Sequence, residues 1–125
     1  MLINPLTQLT EEEEMFRDAI RIFSEDKIKP LTQKMDEEET FDSDLLKQFF
    51  KINLMGIQIP EQWGGAGGSF FMSILAVEEL SRVDPSAGVI VDVQNTLVNN
   101  ALLNWGTKKQ KSQYLPQLSS HKVGA

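Results

Sequence analysis

The sequence contains no cysteine and a single histidine, and these two absences remove several kinds of functional site. Without cysteine the chain has no disulfide framework, thiolate metal site or cysteine nucleophile, and it fits a reducing compartment. The one histidine, His121, stands in a Ser-Ser-His-Lys stretch that we interpret as a loop, and it leaves few ligands for a metal. We therefore expect no metal site and no nucleophilic serine that is activated by histidine.

Long hydrophobic runs and an excess of positive charge are also missing. Charged or amide residues interrupt every apolar stretch before it reaches the roughly eighteen residues that a membrane-spanning helix needs. The 12 basic and 18 acidic side chains give a formal net charge of -6, which repels nucleic acids and anionic membrane surfaces. The start of the chain shows neither a secretion signal nor an Arg-rich transit peptide, so we expect a bacterial-type cytoplasmic protein without nucleic-acid or membrane partners.

The residues that are present suffice for one packed domain. The chain has 125 residues, of which 41% are hydrophobic, an ordinary globular composition. Apolar residues recur at intervals of three and four along most of the chain, which is the period of a helix face. We therefore predict an all-α fold, an up-and-down bundle of about five helices, over residues 1–125.

Local start and stop signals place the five helices. Thr10 with Glu13 is a capping-box pattern for a first helix that continues toward Met35, with a kink or break at Pro30. The other helices are predicted over residues 44–55, 70–83, 85–105 and 107–118, with a short extended piece over residues 57–60. Thr107 with Gln110 repeats the capping-box pattern at the start of the last helix. In the third helix we expect Ile74, Leu75 and Leu80 to point inward, and Glu79 to point at least partly outward.

In the fourth predicted helix, residue propensity and hydrophobic periodicity favour different structures. Residues 89–93 are rich in β-branched side chains, which favour strands. Alternation by two fails after Val93, however, and the side chains then follow the helical period. The apolar set is Ile90, Val93, Leu97, Ala101 and Trp105, and the polar set is Asp92, Asn95, Thr96 and Asn99. We therefore predict a helix. A buried Asp92 is one candidate for a functional carboxylate; in the alternative interpretation it points outward with Asn95 and Asn99 or bonds a neighbouring helix.

The glycine-rich run over residues 64–68 invites comparison with phosphate-binding loops. The dinucleotide-binding pattern would need glycine at the position of Phe70, and a P-loop would need a Gly-Lys pair that is absent. We interpret the run as a turn in which glycine lets backbone approach backbone closely. Taken together, composition and motifs show no self-sufficient active site, and we assign no catalytic, cofactor-binding or metal-binding residue from them.

A set of short segments, in order along the chain, carries a resemblance to one enzyme family. The segments are Met55-Gly56-Ile57, Ile59-Pro60-Glu61, Trp63-Gly64-Gly65-Ala66-Gly67, Glu78-Glu79-Leu80-Ser81, Gly106-Thr107 with Gln110-Lys111, and Tyr114-Leu115-Pro116. Together they resemble the acyl-CoA dehydrogenases. Residues 93–99 and 114–118 are most similar to the short/branched-chain members. The resemblance covers the N-terminal helical domain of that family and nearly all of this chain.

The resemblance implies a larger, FAD-dependent parent enzyme. It implies that a β-domain and a second helical domain, which this chain lacks, supply the flavin site and the catalytic glutamate, so the fragment is inactive alone. The implied reaction oxidises a short or branched acyl-CoA to the 2-enoyl-CoA. In it a glutamate removes the α-proton, the flavin takes hydride from the β-carbon, and electrons pass to electron-transfer flavoprotein. A homotetramer is implied as well.

The resemblance also implies which residues of this chain contact the substrate. In the family, the helix that matches residues 85–105 lines the far end of the acyl pocket, where side-chain bulk limits chain length. Matched residue by residue, Val89, Val93 and Thr96 are the substrate-binding candidates, and ordinary helix packing is the alternative explanation for them. An acyl-CoA oxidase is also compatible with the resemblance. A hypothesis of another class is a stand-alone helical module that binds an acyl chain or a partner protein without catalysis.

Overall fold

The structure, a computed structural model, describes residue 5 and residues 8–124. Its α-helices are α1 (Glu11–Phe23), α2 (Thr32–Glu38), α3 (Ser43–Lys51), α4 (Phe70–Val83), α5 (Pro85–Asp92), α6 (Asn100–Trp105) and α7 (Lys108–Ser120). Helical turns join α1 to α2 and α5 to α6, so that the described residues form five helical rods and no strand. The predicted all-α fold of about five helices is confirmed. Within the same residues, no helix has the length and apolar character needed to cross a membrane.

The first rod begins and bends at the predicted residues. Thr10 Oγ1 accepts the N–H of Glu13 at 3.2 Å, and Glu13 Oε1 accepts the N–H of Thr10 at 2.8 Å, which completes the capping box. A π-helical turn, Ser24–Ile28, and a 3-10 turn, Lys29–Leu31, separate α1 from α2. The interruption follows from Pro30, which has no N–H to donate and whose ring crowds the preceding turn.

The second rod is shorter than predicted. α3 begins after Asp42, whose Oδ1 accepts the N–H of Leu45 at 2.8 Å, but it ends at Lys51 and not at residue 55. Asn53 takes a left-handed conformation with φ of 62°, which asparagine tolerates better than most residues. A separate 3-10 turn, Leu54–Gly56, follows and is fully buried. The apolar pattern continues into this turn, and for that reason the sequence did not show the end of the helix.

The main core forms where α4 packs between α1 and α5. Phe49 of α3 is fully buried there, with its ring centroid 6.0 Å from that of Phe23 and 5.8 Å from that of Phe41. Both ring pairs are tilted, an arrangement that aromatic pairs prefer to a face-to-face sandwich. A smaller cluster of Ile59, Leu115 and Leu118 attaches α7 to this core.

Two expectations for α4 were wrong, whereas Leu75 and Leu80 are buried as predicted. Ile74 is 40% exposed, because the buried side of α4 runs through Ser73, Ala76 and Leu80, and Ile74 lies off that line. Glu79 is buried and not directed outward. Arg21 of α1 covers its carboxylate. This is a tertiary contact, which the helical spacing of residues within α4 does not reveal.

Residues 56–68 form a closed loop, called here the glycine loop. The N–H groups of Gly67 and Gly68 donate to the carbonyl oxygens of Ile59 and Ile57 at 2.9 and 2.7 Å. A Cβ on Gly65 would overlap the Ile59 carbonyl oxygen, so the predicted close approach of backbone to backbone is confirmed. The predicted extended piece over residues 57–60 is wrong, because Ile57 has helical dihedral angles and the segment is bent back on the loop.

The last rod, α7, begins with the second predicted capping box. Thr107 Oγ1 accepts the N–H of Gln110 at 3.1 Å, and Gln110 Oε1 accepts the N–H of Thr107 at 2.9 Å. Pro116 lies inside the helix, which nevertheless continues to Ser120. The serines before His121 therefore belong to the last helical turn and not to a loop, and His121 and Lys122 lie beyond the helix end.

Candidate functional site

The candidate pocket wall is the fourth rod, which runs from Pro85 to Trp105. It consists of α5, a π-helical segment Val93–Asn99, and α6, so the β-branched run is helical as predicted. Asp84 Oδ1 caps its start by accepting the N–H of Ser86 at 2.8 Å. Proline at the first helical position loses nothing by lacking an N–H.

The three substrate-binding candidates differ in exposure along this rod. Val89 is 58% exposed, whereas Val93 and Thr96 are half-buried. Thr96 Oγ1 lies 2.9 Å from both the carbonyl oxygen and Oδ1 of Asp92. The hydroxyl of Thr96 is therefore satisfied within its own helix, and the half-buried Asp92 bonds along the rod and not to a neighbouring helix.

An open groove of about 760 Å³ lies between the end of the first rod and the start of α5. Apolar side chains that line it are Met35, Phe41, Val83, Val89 and Ile90. Acidic side chains that line it are Asp36, Glu39 and Asp84. Of the three predicted substrate-binding residues, the structure brings only Val89 to this groove; Val93 and Thr96 do not line it.

The polar side of the fourth rod faces inward, contrary to expectation. Asn95 and Asn99 are fully buried, whereas Leu97 is 60% exposed and Trp105 is 86% exposed. The expectation that both asparagines point outward with Asp92 was therefore wrong. A second set of residues at helical spacing, Val91, Asn95, Val98 and Leu102, is the one directed toward the interior. The sequence did contain this helical pattern. Asn95 makes it less apolar than the alternative set of Ile90, Val93, Leu97, Ala101 and Trp105, which was therefore predicted to point inward.

Two of the buried carboxamides hold the start of the glycine loop. Asn95 Nδ2 donates to the carbonyl oxygen of Leu54 at 2.7 Å, and Asn95 Oδ1 accepts the N–H of Ile57 at 2.9 Å. Asn99 Nδ2 donates to the carbonyl oxygen of Met55 at 2.8 Å. These side chains satisfy backbone groups that would otherwise be buried without partners. Sequence reasoning did not identify these contacts.

A partly buried ion pair joins α1 to α4: the Glu79 side chain is buried and the Arg21 side chain is 44% exposed. Arg21 Nη2 donates to Glu79 Oε1 at 2.8 Å and Arg21 Nε donates to Oε2 at 3.0 Å, while Arg82 Nη1 lies 3.4 Å from Oε2. The hydrogen bonds from Arg21 lower the pKa of Glu79, against the opposing effect of burial. A carboxylate that is held ionised in this way is a poor proton acceptor near neutral pH, so Glu79 is suited to structure and not to general base catalysis.

Neither the glycine loop nor the groove fits the FAD that the family implies. The N–H groups of the glycine loop that could face a phosphate donate instead to the carbonyl oxygens of Gly56, Ile57, Ile59 and Pro60. The groove is lined by three carboxylates and by no lysine or arginine, which is unfavourable for a pyrophosphate. Among the same residues, no group of three or more acidic or histidine side chains could hold a metal ion.

The family model and the relatives that match this chain name the same family. A family model described as acyl-CoA dehydrogenase, N-terminal domain, matches residues 10–122. A relative named "Probable short/branched chain specific acyl-CoA dehydrogenase" from Dictyostelium discoideum is 46% identical over 123 residues. That match covers 98% of this chain and 30% of the relative, so the chain spans less than a third of that protein.

Solved structures agree in fold. Butyryl-CoA dehydrogenase from Megasphaera elsdenii has a TM-score of 0.83 at 28% identity, over 95% of this chain and 31% of that one. A chain from a structure described as the electron transferring flavoprotein of Acidaminococcus fermentans has a TM-score of 0.84 at 32% identity, over 95% of this chain and 30% of that one. The chain belongs to the acyl-CoA dehydrogenase family and corresponds to its N-terminal helical domain.

Proposed function

We propose that this domain forms one wall of the acyl pocket in a FAD-dependent acyl-CoA dehydrogenase that oxidises a short or branched acyl-CoA to the 2-enoyl-CoA. The observation that carries the proposal is the outward apolar side of the fourth rod, where Val89 and Leu97 are more than half exposed. The same rod is fixed to the interior by its buried amides. A rigid support with an exposed apolar side is what a preorganised pocket wall requires.

Val89, Val93 and Thr96 are the residues that we assign to the acyl group. Two branched side chains shorten a cavity, which suits a short or branched acyl chain. The hydroxyl of Thr96 already bonds to Asp92, which leaves its methyl group for apolar contact. The domain thus contributes shape and exclusion of water, and it contributes no reacting group.

The remaining parts of the proposal concern the whole enzyme. We assign residues 1–125 to one helical domain and the flavin site and catalytic base to other domains, because this chain spans less than a third of its relative. Electron-transfer flavoprotein is the proposed electron acceptor and a homotetramer the proposed assembly, as the family resemblance implies. We also propose a cytoplasmic location, with which the cysteine-free sequence is compatible.

The pocket assignment is tested by replacing Val93 in the full-length enzyme. Val93→Ala enlarges the cavity, so kcat/KM for longer straight-chain acyl-CoA thioesters should rise roughly tenfold relative to the short ones. Val98→Ala is the matched control, since Val98 lies in the same π-helical segment but packs against the smaller core cluster. An acyl-length profile that Val93→Ala leaves unchanged would reject the assignment of the pocket.

The reaction itself is tested on the unmodified enzyme. Oxidation of a short acyl-CoA with reduction of electron-transfer flavoprotein is the expected result. Consumption of dioxygen without a need for that acceptor would instead identify an acyl-CoA oxidase. A full-length protein that binds no flavin and oxidises no acyl-CoA would leave the stand-alone binding module as the better description.

A further inference from the structure

Gln94 makes a set of contacts that the pocket wall does not require. Its side chain is fully buried, and Nε2 donates to the carbonyl oxygens of Leu118 at 3.1 Å and Lys122 at 2.9 Å. Its Oε1 accepts the N–H of Gly124 at 2.8 Å. An amide nitrogen only donates and an amide oxygen only accepts, so these backbone groups fix the orientation of the side chain. Both ends of one amide therefore bind the end of α7 and the chain after it.

The backbone at Gly124 supplies a second, independent observation. A Cβ placed on Gly124 would lie 2.7 Å from Cγ1 of Val98 and 2.9 Å from Cδ2 of Leu118, which is closer than real Cβ atoms approach. The chain after α7 therefore lies directly on the fourth rod. This close approach does not involve Gln94. The Gln94 hydrogen bonds and the packing at Gly124 are therefore two separate observations that place the chain after α7 against the fourth rod.

The position of Gln94 connects this contact to the proposed pocket. Gln94 directly follows Val93, and both belong to the π-helical segment of the fourth rod. Two successive side chains therefore have different roles: Val93 belongs to the proposed pocket wall, and Gln94 binds the chain after α7. Extra residues in a π-helical turn commonly accompany functional sites, because they redirect neighbouring side chains.

We propose that Gln94 is a positioning residue, which clamps residues 122–124 to the rod that carries Val89, Val93 and Thr96 and so sets how the chain leaves the pocket wall. The clamp itself stands on the contacts above. Its effect on substrate rests on the proposed function. The other domains would complete the pocket against the fourth rod, and the clamp would fix the path of the chain that leaves this rod. Loss of the clamp should loosen that closure and weaken binding of the acyl-CoA.

The clamp is tested by hydrogen–deuterium exchange of the full-length enzyme. Gln94→Met keeps an unbranched side chain of similar length but can neither donate to Leu118 and Lys122 nor accept from Gly124. The Gly124 N–H should exchange about tenfold faster or more, since it loses the one partner it has among residues 8–124. Gln113→Met is the matched control, because Gln113 is exposed on α7. Equal exchange of Gly124 in the two variants would overturn the proposal.

Gly124→Ala tests the same clamp without a change at Gln94. Its Cβ would lie 2.7 Å from Cγ1 of Val98 and 2.9 Å from Cδ2 of Leu118, so the local packing has to shift. We expect residues 122–124 to move off the rod and to exchange faster by a similar factor, with exchange of α1 and α4 unchanged. This variant decides the question if Gln94→Met fails to fold. Unaltered exchange at residues 122–124 in Gly124→Ala would likewise contradict the clamp.

Steady-state kinetics separate a positioning role from a stabilising one. In Gln94→Met we expect KM for a short acyl-CoA to rise on the order of three- to tenfold, with kcat within about twofold of wild type. A residue that only stabilises the fold would leave both constants unchanged well below the melting temperature, and that result overturns the positioning role. If the wild-type enzyme oxidises no acyl-CoA, the proposed function fails, whereas the exchange measurements still decide the clamp.

Discussion

Carboxamide side chains take the place of backbone partners at the centre of this domain. Gln94, Asn95 and Asn99 bind the backbone of residues 54–57 and of the chain around the end of α7. These carbonyl and N–H groups are bonded by the amide side chains, and a buried backbone group without a partner costs about 1–3 kcal/mol. The amides therefore have more influence on stability than their polarity suggests.

Replacing Asn95 measures this contribution. Asn95→Leu keeps a side chain of similar volume but leaves the Leu54 carbonyl oxygen and the Ile57 N–H without their side-chain partner. We expect the free energy of unfolding to fall by about 2–4 kcal/mol, measured by urea denaturation. Asn104→Ala, at an exposed position of α6, should change it by no more than about 0.5 kcal/mol. Similar losses in the two variants would contradict the role assigned to the buried amide.

Glu79 makes the stability of the domain depend on pH. Its pKa in the folded chain lies below the ordinary value because Arg21 donates hydrogen bonds to the carboxylate. A lowered pKa gives a stabilising contribution that is present above the ordinary value, and that is lost as the pH falls through the folded value. The wild-type protein should therefore lose more stability than Glu79→Gln as the pH falls below about 5.

Unfolding curves recorded at a series of acidic pH values provide the measurement. Glu78→Gln is the control, because it removes an exposed carboxylate beside Glu79 and leaves the hydrogen bonds from Arg21 to Glu79 in place; its stability should still fall more steeply with pH than that of Glu79→Gln. Parallel profiles for wild type and Glu79→Gln would show that the contact with Arg21 does not couple folding to protonation of this group.

At the scale of elements, the glycine loop depends on backbone approach and not on side-chain packing alone. Gly65 N–H donates to the carbonyl oxygen of Pro60 at 3.3 Å, and the N–H of Ala66 donates to that of Gly56 at 3.0 Å. The loop closes because glycine leaves room at the crossing point with Ile59. It presents Ile57 and Ile59 to the interior, where both are buried.

A methyl group at the crossing point should open the loop. Gly65→Ala places a Cβ against the Ile59 backbone, and the chain has to move to relieve the overlap. We expect a loss of roughly 1–3 kcal/mol in the free energy of unfolding, the usual range for overpacking. Ala66→Ser, at the exposed position that follows, should be nearly neutral. A thermal melt of Gly65→Ala that matches wild type would show that the loop is not closed as described.

Elements with their own local signals were predictable, and those that depend on neighbours were not. Thr10 and Thr107 cap helices through contacts three residues away, so sequence spacing was sufficient. The end of α3 at Lys51 was not predictable, because the buried 3-10 turn after it carries the same apolar pattern as a helix. The inward side of the fourth rod depended on carbonyl groups of the loop and of α7, which lie far away in sequence.

On the scale of the whole molecule, three of the exposed large apolar side chains lie on the fourth rod, while others, such as Met15 and Ile22, lie on α1. Val89, Leu97 and Trp105 are 58%, 60% and 86% exposed, all on the fourth rod. Monomeric proteins seldom leave extended apolar surface uncovered, and such surface commonly marks a contact region. In the proposed enzyme this side faces the acyl group and the other domains.

The 125-residue chain should therefore self-associate in solution. Sedimentation velocity should show a sedimentation coefficient that rises with concentration, and a double variant, Leu97→Ser with Trp105→Ser, should reduce the effect. Asn104→Ser is the control for a polar change on the same rod, and it should leave the association unaltered. A monomer at high concentration in the unmodified chain would contradict this expectation.

Local pattern was enough to determine the helical class of this domain, its two capping boxes, the break at Pro30 and the family to which the chain belongs, because these depend on spacings of a few residues. The sequence also supplied Val89, Val93 and Thr96 through the family resemblance, and their role stays a prediction. Only the tertiary structure decided that Glu79 is buried against Arg21 and that three amides of the fourth rod face inward. Those outcomes depend on which distant backbone or charged group is present to satisfy a buried polar side chain, and spacing along the chain does not contain that information.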